Sequence, residues 1–424
     1  MTESSGPTFI IVGASLAGAK AAETLRADGF TGRVVLVGEE IERPYERPPL
    51  SKGYLLGTEP REKAFVHEEG WYAEHGIELL LGRRATELAP GSRTLTLDGA
   101  EPLRYDKLLL ATGSRVRTLD VPGADLPEVR HLRAIKHADA LLTALRSGGQ
   151  VVIVGAGWIG LEVAAAARSH GCPVTVIERD ELPLRRLLGA EVAGIYRDLH
   201  VAHGVDFRFE AEVREFGALG GRLTSVVLDD NTELPADLVL VGVGIRPATE
   251  LAEVAGLAVD DGIVTDAALR TSDPDVYACG DVAAAYHPLL DTRLRVEHWS
   301  NALNGGPAAA RSMLGQPVEY ARLPYFYSDQ YGSAPALGME YTGQVGPGGY
   351  DQVVFRGDPA IRPGADPEFI AFWLRGGRVP AGMNVNVWDV TEPIQALIRA
   401  GLAGETVDRG RLADPKVPLT DLVR

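Results

Sequence analysis

The stretch Phe9–Glu39, FIIVGASLAGAKAAETLRADGFTGRVVLVGE, decides how the rest of the chain is read. An apolar run, Phe9-Ile10-Ile11-Val12, enters the turn Gly13-Ala14-Ser15-Leu16-Ala17-Gly18, and an Ala-rich helix is expected from Ala19 to about Arg26. A second apolar run, Val34–Val37, ends on Gly38-Glu39. Strand, glycine turn, helix and strand closed by an acid form a dinucleotide-binding unit. Gly13 permits the tight turn, and Gly18 lets the helix pack closely on the strand. The N–H groups of Ser15, Leu16, Ala17 and Gly18 lie at the positive end of the helix dipole, where a pyrophosphate is favoured. Glu39, about 20 residues on, stands where a carboxylate accepts hydrogen bonds from ribose hydroxyls. Ser15 replaces the expected middle glycine, so the backbone approaches a phosphate less closely unless the hydroxyl hydrogen-bonds it.

A second copy of the unit begins at Val151. Val151–Val154 leads into Gly155-Ala156-Gly157-Trp158-Ile159-Gly160, a complete GxGxxG, and Val174–Ile177 ends on Glu178. Repetition of the whole pattern is far more specific than either copy alone, so the chain is expected to bind two dinucleotides. Glu178 favours NADH, because a carboxylate repels a 2′-phosphate. Arg179, Arg185 and Arg186 follow closely, however, and are the residues that would hold such a phosphate.

Composition narrows the class. With 424 residues the chain is long enough for two or three domains, and 45% hydrophobic with 24% charged residues is ordinary for a soluble α/β protein. No stretch is long and apolar enough to span a bilayer, so no membrane association is expected. Met1-Thr2-Glu3-Ser4-Ser5-Gly6 has neither a basic start nor an apolar signal core, which makes the cytoplasm the expected location. Net charge of −16 argues against nucleic acid as a partner. The only cysteines, Cys172 and Cys279, lie far apart, which excludes a disulfide scaffold, a cysteine-ligated zinc or iron–sulfur centre and a CxxC-type dithiol.

Between and after the two units come further motifs. Arg43-Pro44-Tyr45-Glu46-Arg47-Pro48-Pro49-Leu50-Ser51-Lys52 is a rigid non-helical approach, with Ser51 placed to start a helix through Gly53-Tyr54-Leu55. Tyr105-Asp106-Lys107-Leu108-Leu109-Leu110-Ala111-Thr112-Gly113 is a buried strand ending in ATG, Tyr277-Ala278-Cys279-Gly280-Asp281 ends in GD, and Glu297-His298-Trp299-Ser300-Asn301-Ala302 and Ser328-Asp329-Gln330 follow. In this order the motifs cover nearly the whole chain. They resemble those of the FAD-dependent NADH:ferredoxin reductases of bacterial oxygenase systems, the putidaredoxin reductase and biphenyl dioxygenase reductase group.

The resemblance implies an α/β fold of two Rossmann-like dinucleotide-binding domains, the FAD domain discontinuous, plus a C-terminal α+β domain. The expected segments are 1–117 (FAD-binding, first part), 118–244 (NAD-binding), 245–324 (FAD-binding, second part) and 325–424 (C-terminal interface domain). It implies non-covalent FAD held by the first glycine turn, Arg47, the backbone near Ala85, Thr112, Gly113, Arg133 from the linker, Gly280, Asp281 at the ribitol, and Trp299 beside the isoalloxazine. Gly244 marks the return crossover from the NAD domain, whose cofactor is held by Gly155, Gly157, Ile159, Gly160 and Glu178. Lys52 is implied to lie near the reactive edge of the flavin, and Glu162 beside the nicotinamide and paired with Lys52. As bare residues, Lys52 reads equally as an exposed lysine in a surface ion pair, Glu162 as an acid near a helix start stabilised by the dipole, and Trp299 as core. Cys279 reads as a buried structural thiol, and His298 has no catalytic role.

The implied activity is electron transfer from NADH through FAD to a [2Fe–2S] ferredoxin that supplies a cytochrome P450 or a Rieske-type oxygenase, by a monomer or weak homodimer. A rubredoxin reductase and a slow-turnover NADH-sensing flavoprotein that acts by binding a partner remain as alternatives. Arg311, Arg356 and Arg375 are either part of a docking patch or ordinary solvated arginines. Gly346–Asp366, apart from a short strand at Gln352, reads as a variable loop or a surface excursion. Ala302–Pro307 departs from the family's more helical pattern.

Overall fold

The apolar runs of the sequence become parallel strands buried on both faces. The computed structural model describes residues 6–346 and 348–422. The leader reading at residues 1–5, and Pro347 within the Gly346–Asp366 stretch, lie outside the described residues. The chain divides into two compact units. Unit 1 comprises Met1–Glu46, Arg61–Arg115 and Ile245–Pro324, and unit 2 comprises Arg47–Pro60, Val116–Gly244 and Tyr325–Arg424. The PPLSK segment therefore packs with unit 2, although its sequence neighbours on both sides belong to unit 1.

Unit 1 is built on a five-stranded parallel sheet in the order Val276–Ala278, Lys107–Leu110, Thr8–Val12, Arg33–Gly38, Ile77–Leu81. Along the first strand, Phe9 and Ile11 join one core cluster while Ile10 and Val12 join another. A strand covered on both faces needs a continuous apolar run rather than alternation, and that is how residues 9–12 read. The strand order reverses beside Thr8–Val12, so the glycine turn sits at the switch point of the sheet, where α/β folds bind ligands. Helix Leu16–Ala27 packs on helix Trp299–Met313. The latter runs unbroken through the Ala302–Pro307 stretch that departs from the family pattern, with Pro307 inside it. The reason for Gly306 is steric: a Cβ there would lie 2.2 Å from the Ala17 carbonyl oxygen.

Unit 2 repeats the plan with the parallel order Val205–Phe209, Val174–Glu178, Val151–Val154, Leu238–Val241, Val129–Arg130. A three-stranded antiparallel meander, Val213–Leu219, Arg222–Leu228 and Glu233–Pro235, adds to it. The C-terminal part is a five-stranded antiparallel sheet in the order Tyr325–Gln330, Leu337–Gly343, Arg378–Val385, Glu368–Arg375, Gln352–Asp358, covered by helix Thr391–Leu402. The architecture is thus α/β with two doubly wound sheets and a C-terminal α+β layer. Among the described residues no helix is long and apolar enough to cross a membrane.

Three expectations are corrected. Ser51 does not cap a helix: Pro48–Ser51 is a 3₁₀ turn, Lys52 occupies the cap position of Gly53–Leu56, and the Ser51 hydroxyl turns inward instead. Within the Gly346–Asp366 stretch the strand at Gln352 is longer than expected, running to Asp358 and paired along its length with Glu368–Arg375. Arg356, on that strand, is no docking residue. It is only 9% exposed, and its guanidinium donates to the carbonyls of Leu412, Asp414, Pro415 and Val417, tying the C-terminal tail to the sheet. Arg311 pairs with Asp28 at 3.1 Å, and Arg375 is exposed.

His200 is fully buried in unit 2 and His298 is partly buried in unit 1, and burial pushes each imidazole down to about 4. Above pH 6.5 both are neutral whether the chain is folded or not. As pH falls toward 4, the unfolded chain takes up protons that the folded one excludes, so stability falls with pH, by roughly 3 kcal/mol per residue at the end of the window. Melting temperature followed from pH 7 to pH 4 should therefore decline, and His200→Asn or His298→Asn should each flatten the decline. Variants that track the wild-type slope would remove these residues from the account. Gly306→Val should cost about 3 kcal/mol in urea unfolding, because the new side chain meets backbone that has no rotamer to change; an unaltered midpoint would mean that the two helices separate freely.

Candidate functional site

In unit 1 the glycine turn is shaped by its own backbone. Gly13 has φ of 122°, and a Cβ there would lie 2.1 Å from the Ala111 carbonyl oxygen; one on Gly18 would lie 2.0 Å from that of Gly13. Any side chain at either position would push the helix off the strand. Ser15 stands at the helix start in extended conformation without capping it, and its hydroxyl donates to the Tyr45 carbonyl at 3.3 Å. No side chain among the described residues caps Leu16–Ala27, so the first-turn N–H groups face outward, as an anion site requires.

Of the other motifs of unit 1, the ATG and GD segments reach this turn, Thr112 beside Gly13 and Gly280 beside Ala17. Thr112 donates to the Ala248 carbonyl at 2.8 Å, and Gly113, with φ of 66°, accepts from the Ala248 N–H at 2.9 Å. Gly280 (φ 73°) approaches Ala17, and Ser114 donates to Asp281 at 3.3 Å. Glu39 is half exposed, with the Arg115 guanidinium 3.3 Å from its carboxylate. His298 is partly buried, and the Asp281 carboxylate opposes the lowering of its imidazole by desolvation. The Trp299 indole donates to Glu46 at 2.6 Å, which fixes the ring at the start of its helix. Ala85 opens the antiparallel strand Ala85–Ala89. Cys279 lies in the core beside Gly280, and burial raises its thiol to about 12, so it is protonated and inert at neutral pH.

Unit 2 shows the same physics at its own turn. Gly155 (φ 99°) closes on the Gly242 carbonyl, and a Cβ on Gly160 would lie 2.1 Å from the Gly155 carbonyl oxygen. A Cβ on Gly157 would meet nothing within 4 Å, so this glycine faces open space at the head of helix Trp158–Ser169. Beside it, Ile159 is 41% exposed, unusual for a large apolar residue on a mostly buried helix. Glu178 accepts from the N–H of Ala156 at 2.7 Å and from that of Asp180 at 3.0 Å, which ties the acid to the glycine turn. Gly244 has φ of 101°, and its carbonyl accepts from the Arg117 N–H. Arg47 donates to the Arg133 carbonyl, joining the PPLSK segment to the linker.

The most unusual feature of unit 2 is a buried carboxylate. Glu162, on the second turn of helix Trp158–Ser169, is 4% exposed. Its Oε1 receives the Lys52 ammonium at 2.7 Å and the Ser328 hydroxyl at 2.7 Å, and its Oε2 receives the Ser51 hydroxyl at 2.5 Å. Lys52 is itself only 14% exposed in its side chain and lies over the Tyr327 ring at 5.3 Å. The expected Lys52–Glu162 pair is thus formed, and it is not a surface ion pair. A charge pair this deep survives only where hydrogen bonds satisfy its remaining lone pairs, and two serines do so here. From sequence Ser51 reads only as a helix start, and Ser328 is not singled out. Ser51 and Ser328 sit inside the PPLSK and SDQ motifs, and that was the one signal available. Asp329, beside Ser328, has its carboxyl raised by burial, an effect that Lys52 opposes.

Two families match the chain, one across both units and one at the C-terminal sheet. Residues 7–306 match the family described as pyridine nucleotide-disulphide oxidoreductase, and residues 325–423 match the reductase C-terminal family. The ferredoxin–NAD(+) reductase component of the anthranilate 1,2-dioxygenase system of Burkholderia cepacia is 41% identical over 98% of this chain and 99% of its own. Putidaredoxin reductase of Pseudomonas putida is 35% identical over 98% and 96%. The crystal structure of the covalent putidaredoxin reductase–putidaredoxin complex superposes with a TM-score of 0.90 at 34% identity, covering 99% of this chain and 98% of that one. Two glycine-turn units, a buried Lys–Glu pair and near-full-length similarity of this degree lead to one statement: the chain belongs to the pyridine nucleotide-disulphide oxidoreductase family and ends in a reductase C-terminal domain.

Proposed function

We propose that the protein is an FAD-dependent NAD(P)H:ferredoxin reductase, taking electrons from NADH and delivering them to a [2Fe–2S] ferredoxin that serves a cytochrome P450 or Rieske-type oxygenase. The observation that carries this reading is the state of the thiols. The family is described by its disulphide chemistry, yet both cysteines of this chain are buried and unpaired, and they lie in different units. Without a dithiol to receive them, electrons must leave to an external carrier. The relatives whose names include ferredoxin reduction cover this chain almost end to end.

When bound, FAD supplies the exchange between a two-electron hydride donor and one-electron carriers. The chain's own residues bind, orient and balance charge. In unit 1 the Gly13–Gly18 turn and the uncapped helix start fit the pyrophosphate of FAD, Glu39 its adenosine ribose, and Asp281 its ribitol hydroxyls, with Thr112, Gly113 and Gly280 allowing close approach. In unit 2, Gly157 offers open backbone to the pyrophosphate of NADH, and Ile159 presents an apolar surface beside it. Lys52 places a cation where negative charge develops, and Glu162 fixes that ammonium. Arg47, Ala85, Arg133, Gly244 and Trp299 complete the FAD and NADH contacts in this reading.

NADH is preferred over NADPH. Glu178 lies at the end of the second strand, and two of the arginines that might hold a 2′-phosphate are already engaged, Arg185 with Glu181 at 2.8 Å and Arg186 with Asp180 at 2.7 Å. The supply of NADH and the two free cysteines both support a reducing, cytoplasmic setting.

Anaerobic cytochrome c reduction driven by NADH, with and without a panel of small [2Fe–2S] ferredoxins, tests the reading. Reduction should depend on ferredoxin and saturate with it, and kcat/KM for NADH should exceed that for NADPH by about 100-fold. A flavin that NADH reduces but that no ferredoxin relieves would sink the electron-transfer role; relief by rubredoxin alone would redirect it. Lys52→Met should slow flavin reduction by NADH by about 100-fold while FAD stays bound, since it removes a charge and leaves Glu162 without its counter-ion; an unchanged rate would take Lys52 out of the reaction.

A further inference from the structure

The Glu162 carboxylate is the end of a longer buried chain within unit 2. Ser328 donates to Glu162 at 2.7 Å, the Gln330 amide donates to Ser328 at 3.3 Å, His200 Nε2 lies 2.8 Å from Gln330 Oε1, and the Tyr331 hydroxyl lies 2.7 Å from His200 Nδ1. Ser328 and Gln330 are each 1% exposed, His200 is 0% and Tyr331 is 8%.

Donor and acceptor inventory gives the chain a direction. Gln330 Oε1 only accepts, so His200 must carry its proton on Nε2. A neutral imidazole then leaves Nδ1 as an acceptor, and the Tyr331 hydroxyl donates to it. Neutrality is consistent with complete burial, which pushes this imidazole down to about 4. Every hydrogen bond from Tyr331 onward therefore points one way and ends on the carboxylate. Chains so aligned polarise each other, and a donor at the end is strengthened by those behind it. Tyr331 also holds a left-handed backbone, φ 64°, a conformation costly for an aromatic residue and tolerated where the surroundings fix it.

We propose that Ser328, Gln330, His200 and Tyr331 form a one-way donor chain that locks the Glu162 carboxylate in a single orientation against Lys52, so that these four are positioning residues for hydride delivery from NADH. The proposal rests on the reductase reading for its consequence but not for its structure. A carboxylate held at one oxygen only stays rotatable about its last bond. Held from Oε1 by Ser328 and from Oε2 by Ser51, Glu162 has one setting, and the flexible Lys52 stem inherits it. Around the carboxylate the other ionisable groups are Asp329 on the strand of Ser328 and Tyr196 on the helix of His200; both are shifted in the direction that a neighbouring anion produces, with burial the larger cause.

A double-mutant cycle on the FAD-loaded protein tests the lock directly. Ser328→Ala should lower the melting temperature by about 2 °C when Glu162 is present, because the carboxylate loses a donor, and by nothing measurable in a Glu162→Leu background. Equal losses in both backgrounds overturn the coupling. If Glu162→Leu does not accumulate, Glu162→Gln replaces it, with the loss reduced rather than abolished. In single-turnover reduction by NADH, Ser328→Ala should be about tenfold slower, with the Kd for NADH unchanged within about twofold, and Ser328→Thr should restore the rate. Tyr331→Phe, which removes one oxygen at the far end, should slow the same step by a smaller factor. An unaltered rate in Ser328→Ala overturns the positioning role, and one in Tyr331→Phe overturns its extension through His200. Wild-type protein that NADH fails to reduce would sink the reductase reading while leaving the melting cycle interpretable.

Discussion

Both sheets depend on one steric constraint, the approach of a helix to the carbonyl of the glycine that precedes it. At Gly18 and Gly160 the space for a Cβ is already taken by carbonyl oxygens of Gly13 and Gly155, about 2 Å from where it would sit. Because the helix lies this close, its N-terminal N–H groups sit at the end of the central strand, where a diphosphate reaches them. The same closeness recurs once more within unit 1, where Gly306 admits the carbonyl of Ala17. Helix Leu16–Ala27 is thereby held on both sides by backbone, with no side chain to yield. Such an arrangement adds backbone contact to the side-chain packing of the helix and makes the glycine turn rigid.

A second constraint acts on the charge that this scaffold carries inside unit 2. A carboxylate at 4% exposure is unstable unless paired, and a pair in low dielectric is stable only when its remaining lone pairs are met. Glu162 meets the condition through Lys52 and two hydroxyls, drawn from a 3₁₀ turn and from the first strand of the C-terminal sheet. This explains why Arg47–Pro60 packs with unit 2, whatever its place in the sequence. The segment's serine and lysine are the counter-groups of a helix that belongs there. Removing either element would leave a buried anion, so the C-terminal sheet and the PPLSK turn are bound to the dinucleotide fold by electrostatics as much as by apolar contact.

How much of this was legible in the sequence follows from the range of the interactions. The parallel strands and glycine turns were readable because their signals are local: four or five apolar residues, then glycine at fixed spacing. Glu162 and Lys52 were recognisable only through resemblance, since a lysine and a glutamate 110 residues apart show no pairing by themselves. Ser51 read as a helix cap because the local pattern favours it, and tertiary demand from the buried carboxylate overrode that preference. Arg356 read as a surface cation because arginines usually are; four backbone carbonyls of a tail some 60 residues later closed around it, and nothing near position 356 announces them. Three strands of the C-terminal sheet, Tyr325–Gln330, Leu337–Gly343 and Arg378–Val385, were not anticipated either. Their polar members Ser328, Gln330, Thr342 and Asn384 are buried, the first, second and fourth in side-chain hydrogen bonds, and so break the alternation by which a half-exposed strand is recognised.

The buried polar residues of that sheet also bear on how one family accommodates different electron acceptors. A dithiol relay needs two cysteines placed against the flavin, and such a site is reactive because its thiols are exposed and activated. In this chain Cys279 is closed into the core with its thiol raised to about 12, and the buried Cys172 thiol donates a hydrogen bond to the Leu145 carbonyl. Neither thiol serves as a nucleophile. What unit 2 offers instead is a fixed ammonium, held by a carboxylate that is itself held from both oxygens. Such a pair stays charged and fixed through hydrogen bonds alone, with no covalent chemistry of its own.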